Sequence, residues 1–320
     1  MQEIHLRKLF VASLILLLLL TGCSKDDRKS GGKQTDKHPA GLTIGVSLLT
    51  RTHPFYQELE AGLTAAADSL DYLLLVNTGE FDVARQKDQL NEFIVRRVNA
   101  IIVSPCDSKS IGTAIKAANE AGIPVFTADI ACLAEGVQVM SHIASDNVEG
   151  GRLAARAVAE AIGGNGTVAI IDHPEVESVI QRVKGFEEEL SRYEGIKLVA
   201  RLSGRGVKDQ AFRTAEDILQ AHPNLSAIFG INDDSALGAL AAVEKAGLAG
   251  KVKIIGFDAV PEAREAIRNG RIYADVIQKP REIGAQTIAA VNAYMTGQTV
   301  TPQILVPCAL FTQADAVANQ

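Results

Sequence analysis

The sequence contains no tryptophan, few other aromatic residues and no surplus of basic residues. Aromatic residues make up 5% of the 320 positions, so we expect a ligand to be held mainly by polar groups and a few Phe and Tyr rings. The 32 Lys and Arg residues are outnumbered by 38 Asp and Glu residues, and the formal net charge is −6. Because binding to a phosphate backbone depends on clustered positive charge, we expect no nucleic acid partner.

Short motifs of common enzyme classes are also absent from the sequence. The chain has no Gly-x-Ser-x-Gly, no His-Glu-x-x-His and no P-loop, and its Cys and His residues are not spaced as zinc ligands. The glycine-rich turn at residues 163–166 precedes a predicted strand, whereas a dinucleotide-binding turn follows one. The sequence therefore predicts a protein that is not an enzyme and that uses no cofactor and no metal.

The first 23 residues have the pattern of an export signal. Arg7 and Lys8 precede an apolar run over residues 9–20, which is shorter than a typical membrane span. Residues 20–23 (LTGC) resemble a bacterial lipobox, in which cleavage before the cysteine leaves Cys23 to carry a diacylglycerol. The alternative is a plain secretory signal in which the cysteine occurs by chance.

Residues 24–40 are polar and predict a flexible tether, because they contain almost no apolar side chain that could join a core. With Cys23 lipidated, we expect an exported protein anchored by lipid in the cell envelope, in the periplasm or on the outer face of the cytoplasmic membrane. The remaining cysteines are Cys106, Cys132 and Cys308. A Cys106–Cys132 disulfide is conceivable, but free thiols are favoured because a core of this size needs no cross-link.

From residue 42 onwards, short apolar runs alternate with amphipathic stretches, which predicts an α/β fold. The runs are apolar on both faces, as in parallel strands covered by helices on both sides of a sheet. Their number fits two doubly wound sheets better than one very wide sheet. The predicted strands are 42–47, 72–77, 100–104, 124–128, 167–171, 197–202, 227–231, 253–257 and 274–277.

An internal repeat supports two similar halves. Residues 100–129 and 227–258 each contain an apolar strand, an Asp-Ser pair before a helix, an Ala-Gly pair after it, and a second strand followed by aspartate. Asp129 and Asp258 therefore occupy equivalent places at the carboxyl ends of parallel strands, where α/β sheets bind ligands. A carboxylate accepts several hydrogen bonds and donates none, which suits a ligand rich in hydroxyl groups.

Several segments resemble, in order, the ribose-binding family of bacterial periplasmic solute-binding proteins, and the similarity covers nearly all of the chain after residue 42. The segments are 53–56 (HPFY), 141–147 (SHIASDN), 221–223 (AHP), 232–233 (ND), 237–240 (LGAL) and 256–258 (GFD). The resemblance implies two Rossmann-like lobes joined by three hinge crossings. It also implies closure on a sugar and delivery of that sugar to an ABC permease.

By position, the resemblance implies a lobe of residues 42–145 with 279–307 and a second lobe of residues 146–278 with 308–320. It places the hinges near Ser145, Gln278 and Pro307. We also expect a monomer. The alternative function is that of a sensor subunit, which presents a sugar or a furanosyl signal to a receptor kinase or chemoreceptor.

The resemblance also assigns roles to individual residues. It implies that Phe55 and Tyr56 stack on the sugar ring and that five polar residues bind its hydroxyls; these are Asp129, Arg182, Asn232, Asp258 and Gln278. His53 stands where ribose binders have asparagine. From the sequence alone, Gln278 equally fits an exposed loop amide, and Arg182 fits a solvated charge on a helix.

Two positions depart from the ribose-binding pattern. Ile130 stands where ribose binders carry arginine, and Gly206 stands where they place an aromatic residue. We therefore expect a site that is less cationic and roomier on one side, with Arg51 or Arg205 as candidate replacements for the lost charge. Pentoses, hexoses, polyols and furanosyl molecules all remain candidate ligands.

Overall fold

The structure is a computed structural model that describes residues 41–318. The predicted export signal, the lipidation site Cys23 and the tether lie outside the described residues. Within the described part of the chain, no helix is long and apolar enough to cross a membrane.

Residues 41–318 form twelve strands and ten helices. The strands are β1 (Thr43–Leu48), β2 (Leu73–Thr78), β3 (Ala100–Val103), β4 (Val125–Ala128), β5 (His142–Ser145), β6 (Gly166–Asp172), β7 (Ile196–Ser203), β8 (Ala227–Gly230), β9 (Lys253–Asp258), β10 (Ala274–Ile277), β11 (Gln303–Val306) and β12 (Ala309–Thr312). The helices are α1 (Pro54–Asp68), α2 (Val83–Val95), α3 (Gly112–Glu120), α4 (Asn147–Ala161), α5 (Glu177–Leu190), α6 (Lys208–Ala221), α7 (Asp233–Lys245), α8 (Pro261–Arg268), α9 (Pro280–Met295) and α10 (Gln313–Ala318).

The strands form two six-stranded sheets with the same architecture. Sheet A has the order β11-β5-β4-β3-β1-β2, and sheet B has the order β12-β10-β9-β8-β6-β7. All neighbouring strands are parallel except β10 and β12, which are antiparallel. Each sheet, with the helices packed on it, forms a lobe, and the chain crosses between sheets after β5, after β10 and after β11. The predicted α/β fold with two doubly wound lobes is confirmed.

Burial on both faces explains why the apolar runs form these strands. Strands β3 and β8 are buried along their whole length, because helices cover both faces of each sheet. Glycines allow some of the helices to approach closely: a Cβ on Gly151 in α4 would overlap the carbonyl oxygen of Arg182 in α5. This close packing fixes the position of α5, which carries Arg182 towards the space between the lobes.

The sequence located most of the elements correctly. The nine predicted strands agree with the structure to within about two residues at each end. Strands β4 and β9, which the internal repeat made equivalent, occupy the same position in their two sheets. The short strands β5, β11 and β12 were not predicted. The favoured prediction of free thiols is confirmed for the described cysteines, Cys106, Cys132 and Cys308.

Candidate ligand-binding site

A cavity lies where the carboxyl ends of the two sheets face each other. Its walls are residues that follow strands of both sheets, together with the first turns of α1 and α5. The lining residues are Leu49, Thr50, His53, Phe55, Tyr56, Phe81, Asp129, His173, Val176, Val179, Arg182, Gly206, Ile231, Asn232, Asp258 and Gln278. All eight residues predicted to contact a ligand are among them, although their role in binding stays a prediction.

Asp129 directly follows β4 and turns its carboxylate into the cavity. Its backbone is left-handed, with φ of 66°, and its side-chain Oδ2 accepts a hydrogen bond from the Tyr56 hydroxyl at 2.7 Å. The other oxygen, Oδ1, is buried and has no hydrogen-bond partner. Burial raises the pKa of Asp129 to about 6, although Arg182 and the hydrogen bond from Tyr56 oppose this change. Asp129 thus offers one unpartnered oxygen to the cavity.

Asp258 ends β9 and lies opposite Asp129 in the cavity wall. Its carboxylate accepts a hydrogen bond from the Gln278 amide, and its Oδ2 lies 3.4 Å from Nε2 of His53. Its Oδ1 lies 3.9 Å from Nη1 of Arg182. Burial raises the pKa of Asp258 to about 6, and Arg182 and Gln278 lower it in part. The carboxylate is therefore held by residues from both lobes.

Gln278 connects the two lobes beside the cavity. It follows β10 of sheet B, and its Oε1 accepts a hydrogen bond from the hydroxyl of Ser145, at the end of β5 in sheet A, at 2.5 Å. Because its amide nitrogen donates to Asp258, Gln278 also orients that carboxylate. Its side chain is buried, so it is not an exposed loop amide.

His53 caps the first turn of α1 and presents a nitrogen to the cavity. Its Nδ1 accepts a hydrogen bond from the backbone N–H of Phe55 at 3.2 Å, so the neutral ring carries its proton on Nε2. Burial lowers the pKa of His53; Asp234 opposes this change and Arg182 adds to it. The Nε2 atom is buried and has no hydrogen-bond partner.

Arg182 supplies the positive charge between the two aspartates. Its Nε donates to Oδ1 of Asn147 and its Nη1 donates to the carbonyl of Ile231, each at 2.8 Å. The guanidinium also stacks on Phe257, with Cζ 3.9 Å from the ring centroid. Arg182 is 5% exposed, which excludes the alternative of a solvated surface charge.

Asn232 has a structural role as well as a place in the cavity wall. It is the N-cap of α7, and its Oδ1 accepts hydrogen bonds from the backbone N–H and the hydroxyl of Ser235 at 2.9 and 2.6 Å. Its amide nitrogen donates to the carbonyl of Gly206 at 3.1 Å. Capping therefore occupies the side-chain oxygen of Asn232, and its contact with a ligand hydroxyl stays a prediction.

The two aromatic residues of α1 contribute differently to the cavity. The rings of Phe55 and Tyr56 meet edge to face, with centroids 5.2 Å apart. The Tyr56 hydroxyl is committed to Asp129, and burial raises its pKa well above the usual value. Tyr56 therefore positions a carboxylate in addition to forming part of the wall.

Sequence reasoning missed a second group of lining residues, among them Phe81 and His173. Their rings lie with centroids 6.2 Å apart, and His173 lies beside Gly206, where the ribose-binding pattern would place an aromatic residue. The position directly after a parallel strand, which singled out Asp129, would also have singled out His173, since His173 directly follows β6.

Neither candidate replacement for the charge lost at Ile130 lines the cavity. Arg51 pairs with Glu60 outside it, and Arg205 is not part of the wall.

Among residues 41–318, no group of three or more His, Cys, Asp or Glu side chains is arranged to hold a metal ion. The cavity instead combines two carboxylates, one guanidinium and apolar walls. Such a constellation, enclosed between two α/β lobes that the chain connects three times, defines a two-lobed binding protein.

Comparison with known proteins specifies the family. The model of the periplasmic binding protein domain matches residues 44–299. The ribose import binding protein of Bacillus subtilis is 31% identical over 298 residues, which cover 93% of this chain and 96% of that protein. The D-apiose import binding protein of Paraburkholderia graminis is 32% identical over 276 residues, which cover 85% of this chain and 88% of that protein.

A solved structure agrees with these relatives. The ABC transporter solute-binding protein of Actinobacillus succinogenes with bound D-allose is 31% identical and has a TM-score of 0.80, covering 87% of this chain and 99% of that chain. The chain belongs to the periplasmic binding protein family, and its relatives include sugar-binding proteins of ABC importers. The resemblance predicted from the sequence is thereby confirmed.

Proposed function

We propose that this protein captures a neutral monosaccharide or polyol between its two lobes and delivers it to an ABC importer. The observation that carries the proposal is the pair Asp129 and Asp258, which enter one cavity from equivalent strands of the two sheets. A ligand that bonds to both carboxylates joins the lobes. Such a ligand binds the closed arrangement of the lobes more tightly than the open one, and it therefore shifts the equilibrium towards closure.

The unpartnered atoms of the cavity fit the hydroxyl groups of a sugar. Oδ1 of Asp129 is an acceptor without a donor, and Nε2–H of His53 is a donor without a well-placed acceptor. A hydroxyl group both donates and accepts, so one ligand with several hydroxyls satisfies both atoms. Leaving such atoms buried and unpaired costs about 1–3 kcal/mol each, which the ligand recovers.

The charge balance disfavours anionic ligands. Of the described residues in the cavity wall, Asp129 and Asp258 are acidic and Arg182 alone carries a guanidinium. Sugar acids and sugar phosphates would bring further negative charge beside the two carboxylates. The relatives named above bind ribose, D-apiose and D-allose, which are uncharged, and this supports the same ligand class here.

The lobes proposed for closure are residues 42–145 with 279–307 and residues 146–278 with 308–320. The hinges lie near Ser145, Gln278 and Pro307, where the chain crosses between the sheets. The hydrogen bond between Ser145 and Gln278 lies at two of these crossings and connects the hinge to Asp258.

A thermal-shift screen of residues 24–320 tests the ligand class, because all of the core residues of the described chain lie within this part of it. The panel contains D-ribose, D-apiose, D-allose, myo-inositol, glucuronate and ribose 5-phosphate. A ligand at about 100 times its Kd adds roughly 2.7 kcal/mol of stability, a shift of several degrees. Stabilisation by a neutral sugar or polyol supports the proposal. Stabilisation by the two anions alone contradicts it.

We further propose that the protein is a monomer held at the outer side of a membrane by lipid on Cys23. Labelling of growing cells with radioactive palmitate tests this anchor. The expected result is label on the wild-type protein and none on a Cys23→Ala variant. Equal labelling of both proteins, or labelling of neither, contradicts the anchor without affecting the sugar-binding proposal. Sedimentation of residues 24–320 measures the oligomeric state.

A further inference from the structure

Two fully buried aspartates lie directly behind the loop that carries Asp258. Asp233 in the first turn of α7 and Asp275 in the middle of β10 each have an exposed fraction of 0%. Neither side chain lines the ligand cavity. Their burial is costly for two carboxylates, so the arrangement around them calls for a physical explanation.

Each aspartate holds one backbone N–H of the loop after Asp258. Oδ1 of Asp275 accepts from Ala259 at 3.2 Å, and Oδ2 of Asp233 accepts from Val260 at 2.6 Å. The loop needs this support because Asp258 and Ala259 have positive φ values of 119° and 56°. The two carboxyl groups thus hold consecutive amides of a strained turn whose first residue is the proposed ligand contact.

The remaining oxygens of the pair, Oδ1 of Asp233 and Oδ2 of Asp275, both lie at the place that a Cβ on Gly256 would occupy. A Cβ at Gly256 would lie 2.8 Å from Oδ1 of Asp233 and closer still to Oδ2 of Asp275, and neither oxygen has a donor. Because both oxygens border this one small space, two ionised carboxylates would repel each other there. A single proton between them turns the repulsion into a hydrogen bond and leaves both outer oxygens free to accept from the loop.

We propose that Asp233 and Asp275 share one proton in the folded protein and act as a positioning pair that holds Asp258 towards the ligand. The effect on ligand binding rests on the proposed function, since it assumes that Asp258 contacts the sugar. The shared proton and the support of the loop do not depend on that assumption.

The surroundings of the pair agree with a retained proton. Burial, then the neighbouring Asp275, raises the pKa of Asp233 well above its usual value, and burial raises the pKa of Asp275 to about 7. Asp258 of β9 faces both groups and adds negative charge. Arg264 of α8 donates to the carbonyl of Ala259 and not to either carboxylate. Strands β8 and β12 contribute no ionisable side chain, and the arginines of α4 pair with glutamates of α4 and α5.

The first test measures how the melting temperature of the full chain, without ligand, depends on pH. This dependence reports how many protons the protein binds on folding. The folded pair holds a proton that two unfolded aspartates release at neutral pH, so stability falls as the pH rises from about 5 to 8. In Asp275→Asn, the amide donates to Asp233 without an added proton and its oxygen still accepts from Ala259. We expect the melting temperature of this variant to depend less on pH, because the variant binds about one proton fewer on folding than the wild type does.

The second test measures loop positioning by hydrogen exchange of the Ala259 and Val260 amides. Asp275→Asn should keep both amides protected, whereas Asp275→Ala should expose the Ala259 amide to exchange. Asp217→Asn, an exposed aspartate of α6, is the matched control for the loss of one carboxylate and should match the wild type in both tests. Asp233→Asn is the second isosteric variant for the pH test, and Asp233→Ala, which should expose the Val260 amide, replaces Asp275→Ala if that variant does not fold.

The two results separate the possible failures. An unchanged pH dependence in both Asp275→Asn and Asp233→Asn overturns the shared proton. Protection of the Ala259 amide in a folded Asp275→Ala overturns the positioning role. If both tests give the expected result, titration with D-ribose and D-allose should show at least tenfold weaker binding for Asp275→Ala than for Asp275→Asn. If neither the wild type nor any variant binds any of the neutral sugars and polyols of the thermal-shift panel, the sugar-binding function fails while the proton-sharing pair stands.

Discussion

The hydroxyl of Ser108 accepts a hydrogen bond from the backbone N–H of Glu177 at 2.9 Å, and this bond joins the two lobes outside the ligand cavity. Ser108 follows β3 of sheet A, whereas Glu177 is the first residue of α5, which belongs to the other lobe. The N-cap residue of α5, Val176, makes no side-chain cap, so Ser108 satisfies an N–H of this helix from across the cleft. The Ser108 N–H also donates to the carbonyl of Glu175 at 3.0 Å.

Replacement of Ser108 by alanine should weaken ligand binding without changing any ligand contact. The variant loses a hydrogen bond between the lobes, so under the proposed closure the closed form becomes less stable by about 1 kcal/mol. We therefore expect about fivefold weaker binding of the sugar found in the thermal-shift screen, mainly through faster dissociation. Calorimetry and stopped-flow dissociation measure the two effects.

Ser110→Ala is the matched control for this variant. Ser110 lies in the same loop but is exposed and makes no contact with the other lobe among the described hydrogen bonds. It should bind ligand as the wild type does. Equal affinities for Ser108→Ala and Ser110→Ala would show that the contact between Ser108 and Glu177 does not contribute to closure.

Replacement of Asp258 by alanine should separate ligand binding from folding. The variant loses the carboxylate that Gln278 and His53 surround, so we expect the affinity to fall by at least about a hundredfold, as for a buried charged hydrogen-bonding group. Removal of a buried carboxylate also removes its desolvation cost, so the ligand-free melting temperature should change by only a few degrees. Calorimetry and circular dichroism test the two parts. Loss of the folded state would instead identify Asp258 as a structural residue.

Ligand affinity should fall as the pH decreases through about 6. Burial raises the pKa of Asp129 and of Asp258 to about 6 in the ligand-free cavity, so both lose acceptor capacity below this pH. Hydroxyl groups that donate to the carboxylates favour the ionised forms, so binding releases protons near pH 6. Titrations at pH 5, 6, 7 and 8 should therefore show constant affinity at the two higher values and weaker binding at the lower two.

The same two groups should affect ligand-free stability in the opposite direction. Their folded pKa values exceed the unfolded value of about 3.9, so the folded protein binds more protons. Their stabilising contribution is fully present below about pH 4 and is lost as the pH rises through about 6. Asp129→Asn should weaken both pH dependences, because asparagine keeps the side-chain shape and does not titrate. A wild-type ligand affinity that is constant from pH 5 to 8 would contradict the predicted pH dependence of binding.

The repeat and the strand pattern were sufficient to predict where Asp129 and Asp258 lie, because ligand position in an α/β sheet follows from strand direction. The strands β11 and β12 could not be predicted in this way. Each has four residues, and only residues 307–308 separate them, yet they join different sheets. Tertiary contacts decide the partner of such short strands, and the local pattern does not contain this information.

The partners of individual side chains in the cavity wall could not be predicted from the sequence either. The place of Asn232 after β8 was predicted, but only the structure shows that Ser235 occupies its side-chain oxygen. The wall formed by Phe81 and His173 brings together loops that lie about ninety residues apart in the sequence, so the strand pattern marks His173 as a strand-end residue but does not show that Phe81 lies beside it. Because ligands bind at the carboxyl ends of parallel strands, the sequence predicts which edge of the sheet carries the site. It does not predict which residues meet at that edge.

Replacement of Gly206 by alanine should weaken ligand binding, because a larger side chain would fill space in the cavity wall. The φ of Gly206 is 65°, and a Cβ there would lie 3.1 Å from Nδ1 of His173 and 3.4 Å from Nδ2 of Asn232. We expect Gly206→Ala to bind ligand at least about tenfold more weakly, because the methyl group crowds two residues of the cavity wall. Calorimetry with the sugar found in the screen measures this loss.

Gly250→Ala controls for the backbone cost of this substitution. Gly250 has φ of 75° and no atom within 4 Å of its Cβ position, so it pays a similar left-handed backbone cost of about 1 kcal/mol without any crowding. Both variants should therefore melt a few degrees below the wild type, whereas only Gly206→Ala should bind more weakly. If the two variants bind equally well, the space beside His173 and Asn232 is not used by the ligand, and the sugar lies nearer to Asp129 and Tyr56.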